Sequence, residues 1–158
     1  MIDADEGHGK IAPKRYQKGK WGGSSDPERK AQVEEAAIHA VSTYYKKYSV
    51  KSVEADNVGW DLEATPKKGG NALCIEVKGL FGPDLKVGLT PNEYRAFVKH
   101  KEGEHLHYRL CVLTSALSEP SLKIFRYNDA SEKWFDDIAG KSVALNIAPL
   151  EAAIIFLA

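Results

Sequence analysis

The chain has 158 residues, 43% of them apolar and 28% charged, and its 22 basic residues are matched by 22 acidic ones. That composition describes one globular domain with a real core and excludes a disordered or fibrous chain, while zero net charge gives no bulk signal for a nucleic-acid partner. No apolar run approaches the ~20 residues that cross a bilayer, and the opening MIDADEGHGK has no apolar signal core, so the expectation is a cytoplasmic protein without a membrane partner.

Residues 1–25 are polar, lack periodicity and read as a flexible basic N-terminal arm, with residues 26–158 as the folded domain. Lys10, Lys14, Arg15, Lys18 and Lys20 lie between His8 and Trp21 with no acidic residue among them. Such an arm suits phosphate contacts; a solvated tail is the plainer alternative. GHGK at 7–10 lacks the spacing and the Ser or Thr of a phosphate-binding loop.

Asp26 followed by Pro27 is a helix start, and Val33, Ala37, Ile38, Val41, Tyr45 and Tyr48 recur at helical spacing. Short strands are expected near 50–53 and 60–65. PKKGGN then makes a turn that leads into the strand ALCIEVKGL, which pairs back as a hairpin. KVGLT reads as a further short strand. Thr90 and Glu93 form a capping-box pattern that opens a second helix. Lys99, His100 and Lys101 end that helix, where cations favour its dipole and can reach phosphate.

HYRLCVLTSAL and SLKIFRYN are strands around a turn at Glu119-Pro120-Ser121, and the apolar tail 141–158 fits strand or helix equally. Cys74 and Cys111 sit in apolar runs without CxxC spacing and read as buried thiols of a reducing compartment. His105, His107 and Cys111 lack a fourth ligand and do not make a zinc site. This order of elements predicts an α/β fold, a central mixed β-sheet flanked by helices.

Chemistry concentrates in CIEVKG. Glu-x-Lys occurs twice in the chain, about the chance expectation, so the tripeptide alone says nothing. In SDPERK, Glu28 and Lys30 open a solvated helix and do not face each other. Glu76 and Lys78, by contrast, project from one face of a strand whose other face, Leu73, Ile75 and Val77, is apolar. Folding the hairpin at 67–70 brings Asp61 back near them.

Two carboxylates and an ammonium at that spacing suit metal-dependent phosphodiester hydrolysis. Asp61, Glu76 and the Val77 carbonyl would offer oxygens to Mg2+ or Mn2+, and Lys78 would orient water or offset developing charge. Glu34 lies on the helical stripe with Ala37, Ile38, Val41 and Tyr45. It is either a further acid of that site or the polar rim of the helix.

VEEAAIHAVSTYY, NVGWDLEA, CIEVKG and LTPNEYRAF together resemble the C-terminal domain of the NO VEIN protein, which is similar to the PD-(D/E)XK nuclease superfamily. The resemblance runs over roughly residues 30–128 and rests on motif order and spacing. It implies a restriction-endonuclease-like core with Glu34, Asp61, Glu76 and Lys78 as the catalytic set, a DNA substrate, and a helicase or restriction-type partner. A homodimer is a further arrangement open to nucleases that cut both strands. A non-catalytic nucleic-acid- or protein-binding module on the same fold is the alternative, as is a structural domain whose acids are surface ion pairs.

Overall fold

Asp26 opens the first helix as its sequence predicts: its carboxylate accepts the Glu28 N–H at 3.0 Å, and Pro27 occupies the first turn. In this computed structural model, which describes residues 26–105, 107–149 and 153–158, α1 runs Pro27–Tyr44 and buries Val33, Ala37 and Val41. The basic arm, including Lys10, Lys14, Arg15, Lys18 and Lys20, lies outside the described residues.

The strands follow as β1 (Tyr48–Ser52), β2 (Leu62–Pro66), β3 (Leu73–Gly79) and β4 (Lys86–Leu89), then α2 (Pro91–Lys101), β5 (Tyr108–Thr114) and β6 (Ser121–Asn128). The apolar tail becomes β8 (Lys141–Val143), β9 (Leu145–Pro149) and β10 (Ala153–Leu157), preceded by β7 (Lys133–Asp136). A seven-stranded sheet has the order β1-β2-β3-β5-β6-β7-β8, and a three-stranded sheet the order β4-β10-β9. Among the described strands only β3 and β5 pair in parallel, Glu76 opposite Leu110, which requires the crossover through β4 and α2. The fold is therefore α/β around a mixed sheet, with an added small sheet that the sequence did not announce. The reason is physical: in the tail an unbroken apolar run carries no period that separates strand from helix.

Each face of the large sheet has its own core. Val33, Ala37, Val41 and Tyr45 from α1 pack on Ile75, Val77, Cys111 and Leu113. Ala96 and Phe97 from α2, with Val87, Leu89 and Ile155 of the small sheet, pack on Tyr108, Leu110, Val112 and Phe125. Burying each of the larger side chains removes enough apolar surface to contribute about 2–3 kcal/mol.

Two close approaches shape the end of β3. A Cβ on Gly79 would lie 2.7 Å from both the Val33 carbonyl oxygen and its Cγ1, so α1 seats on the end of β3 only because residue 79 is glycine. Gly59, with φ at +102°, lies against α2, where a Cβ would meet Ala96 Cβ and Asn92 O at 3.0 Å. Asn92 Nδ2 donates to the Asn57 carbonyl at 2.7 Å, fastening the loop before β2 onto the first turn of α2. Asp61 and Glu93 are thereby brought to the same end of β3.

Candidate active site

Strand parity sends Ile75 and Val77 into the α1 core and leaves Glu76 and Lys78 facing the α2 side. That side is covered too, so Glu76 is 1% exposed, far from the half-solvated strand residue that alternation alone would suggest. The Lys78 ammonium lies 2.8 Å from Glu76 Oε1 as an ion pair, and no donor among the described residues reaches Oε2. An unpartnered buried carboxylate oxygen is costly, and it is the feature of this site that most needs a reason.

The hairpin closes as expected. Leu62 pairs with Ile75 at the end of the ladder, and the N–H of Asp61, just before β2, donates to the Ile75 carbonyl at 2.9 Å. Asp61 Oδ2 accepts the Val77 N–H at 2.9 Å, with the carboxylate replacing the next ladder carbonyl beyond the end of β2. The Val77 carbonyl points to the same strand edge as its N–H, next to Asp61.

Glu93, for which the capping box favours a structural role over the alternative of a site role, also reaches Lys78. The capping box is present, with Glu93 Oε2 accepting the Thr90 N–H at 2.8 Å. The same oxygen also accepts from Lys78 Nζ at 2.8 Å. The signal available in the sequence is that the crossover from a parallel strand puts the start of the following helix near that strand's end. Lys78 is thus clasped between Glu76 and Glu93.

Electrostatics follow from burial. Glu76 is pushed up to about 8, by desolvation first and then by Asp61 and Glu93, with Lys78 opposing. Burial works to lower the Lys78 ammonium, but Glu76 and Glu93 outweigh it and its pKa is raised, so it stays cationic. Asp61 is raised by desolvation, and the Val77 N–H and Lys78 hold that rise in check. Tyr108 is wholly buried on the same sheet face, with no partner for its hydroxyl among the described residues. Its pKa is raised well above the ordinary range, by burial first and then by Glu76.

The remaining expected residues are elsewhere. Glu34 is exposed; the buried stripe of α1 runs through its neighbour Val33 instead, and α1 covers the opposite sheet face from α2. Its place in the chain, one residue past the Gly79 contact, is near the correct end of β3, but it joins none of the ion pairs there. Lys99 and Lys101 lie in the last turn of α2, about 10 Å along the helix from Glu93. Lys99 faces Glu104 at 3.6 Å and Lys101 stands over the Tyr127 ring.

His100, expected as a helix-end charge, is buried: Nδ1 is 2.6 Å from the His105 carbonyl and Nε2 accepts the Tyr127 N–H at 2.8 Å. Burial lowers its pKa, so it is a neutral core residue. Among the described residues no three His, Cys, Asp or Glu side chains are grouped to hold a metal by themselves. No helix among them is long and apolar enough to cross a membrane.

No curated protein and no solved structure matches the chain at a significant level. Residues 33–125 match the family described as Protein NO VEIN, C-terminal. That span contains Asp61, Glu76, Lys78 and Glu93, and it covers more than half of the 158 residues. The chain, with its acid-lined end of β3, belongs to the NO VEIN C-terminal family.

Proposed function

We propose that this domain is a metal-dependent nuclease of PD-(D/E)XK type that hydrolyses phosphodiester bonds in nucleic acid, with DNA as the first substrate to test. The observation that carries the reading is the unpartnered, wholly buried Oε2 of Glu76 beside Asp61. Lys78 pairs with Glu76 and Glu93, and Asp61 lies close by. With all three carboxyls ionised the formal charge would be about −2, which one divalent cation neutralises, and such a cation would favour ionisation of the raised Glu76 carboxyl. The donors are all oxygen, as Mg2+ or Mn2+ prefers.

Asp61, Glu76 and the Val77 carbonyl would hold such an ion, with water and a substrate phosphate completing its shell. When bound, it lowers the pKa of a coordinated water and offsets charge on the phosphate. Asp61 is held in place by the Val77 N–H, which leaves Oδ1 for a ligand. Glu93 keeps Lys78 at the site once Glu76 is engaged, so the ammonium stays poised to orient water or stabilise developing charge. A DNA-directed helicase or restriction-type partner, or a second copy of the chain, belongs to the same proposal.

One observation favours a binding module instead: Lys78 is already neutralised by two carboxylates, and no ready three-residue metal group is formed among the described residues. Cleavage of DNA and RNA with Mg2+ and with Mn2+ separates the two. The nuclease reading expects metal-dependent cutting that Asp61→Asn and Lys78→Ala abolish while circular dichroism stays unchanged. Nucleic acid that is bound but uncut with every metal leaves the binding module.

A further inference from the structure

At the far end of α1 the chain reads Tyr44-Tyr45-Lys46-Lys47-Tyr48, and these five residues with Leu73, Arg109 and Asp137 line a cavity of about 520 Å3. It lies on the α1 face of the sheet, at the start of β3 and β5. Along α1 it is about 18 Å from the Val33–Gly79 contact that marks the acid-lined end. It is a separate site, and it stands or falls independently of the nuclease reading.

Its electrostatics favour an anion. Asp137, the only carboxylate among the described residues of the lining, is consumed: Oδ2 accepts from Arg109 Nε at 2.9 Å and Oδ1 from Arg126 Nε at 2.6 Å. Two guanidiniums thus already outweigh it, and Lys46 and Lys47 add two exposed ammoniums. α1 ends at Tyr44 and turns its partial negative charge toward this end, but the two lysines exceed a half-charge. Arg109 is held rigid by a second bond from Nη1 to the Tyr108 carbonyl at 2.9 Å.

The aromatic part points to what kind of anion. Tyr45 stands edge-on to both Tyr44 and Tyr48, with ring centroids at 4.9 and 5.3 Å, which braces the outer two rings. Tyr44 is 47% exposed, an open aromatic face beside two lysines. Braced aromatic rings interleaved with cations are how proteins hold a base and its phosphate together, and the open cleft has room for one such unit. We infer that this pocket binds a nucleoside phosphate unit, the base stacked on Tyr44 and the phosphate on Lys46, Lys47 and Arg109. The unit is either a free nucleotide or one residue of a single strand.

The test is a titration of the isotope-labelled full chain in EDTA, followed by amide resonances. The probes are adenosine 5′-monophosphate, a single-stranded hexadeoxynucleotide and inorganic phosphate. Shifts are expected at residues 44–48, Arg109 and Asp137, with Tyr44→Ala weakening binding about tenfold or more, the loss of one stacking contact. Lys46→Glu with Lys47→Glu should remove binding at about 100 mM salt; all three side chains are exposed, so these variants keep the fold. Binding by the mononucleotide identifies a nucleotide site, and binding by the hexamer alone identifies a strand site. No shift at these residues overturns the inference, as does inorganic phosphate binding as well as the nucleotides with Tyr44→Ala neutral.

Discussion

Replacing Glu76 by Gln should invert the stability of this protein with pH. The wild-type carboxyl has its ordinary value of 4.5 when unfolded and about 8 when folded, because burial outweighs the Lys78 ion pair. A pKa raised by folding means that its stabilising contribution is complete below 4.5 and is lost as pH rises through 8. At about 1.4 kcal/mol per pH unit, the loss is under ~1 kcal/mol at pH 5, about 3 kcal/mol at pH 7 and about 5 kcal/mol at pH 9.

The substituted glutamine carries no charge and escapes this loss, but its buried amide, short of partners, costs about 1–2 kcal/mol at every pH. Lys78, still facing Glu93, remains an ammonium throughout this range. Glu76→Gln should therefore be no more stable than wild type at pH 5 and about 3 kcal/mol more stable at pH 9. Near 2–4 °C per kcal/mol for a chain of this size, that is roughly a 10 °C gain in Tm. Thermal unfolding of both proteins in EDTA between pH 5 and 9 measures it. A Tm difference that stays constant over this range, or a mutant less stable at pH 9, refutes the placement of Glu76 as a desolvated carboxyl.

Gly79→Ala should destabilise by about 1–3 kcal/mol in denaturant titrations, because its Cβ would meet the Val33 backbone, which cannot swing aside. Lys78→Met should cost about 2–3 kcal/mol near neutral pH, leaving Glu76 and Glu93 without their shared cation, and Lys78→Arg should recover part of that loss. His100, its pKa lowered by burial, contributes stability that is present above 6.5 and lost as pH falls through the folded value. Its imidazole proton resonances should titrate below 6.5, and a normal titration would contradict the neutral core role.

Local chemistry explains which parts of this architecture are readable from the sequence. Asp26 and Thr90 cap their helices through bonds between near neighbours, and the glycine turn at 69–70 sets the hairpin that returns Asp61 to the Ile75–Val77 stretch of β3. The small sheet is not readable, since β4 and β10 are joined by register over a long stretch of chain and not by any turn. For Glu93 a site role is outweighed in the sequence because one local explanation, the capping box, is complete without the second bond to Lys78. Glu34 fits the spacing of the buried stripe as well as its rim, so its spacing alone does not separate the two; the structure leaves it exposed beside buried Val33. The glycine of CIEVKG has no meaning in the sequence until α1 is seen to touch it.

The proposed metal site is tested most directly by a crystal grown or soaked with Mn2+, whose anomalous scattering marks the ion without ambiguity. A single peak is expected, touching Asp61, Glu76 Oε2 and the Val77 carbonyl, with Lys78 still held by Glu93. A crystal at millimolar Mn2+ with Glu76 Oε2 still unpartnered and no peak beside Asp61 would contradict the metal-dependent site.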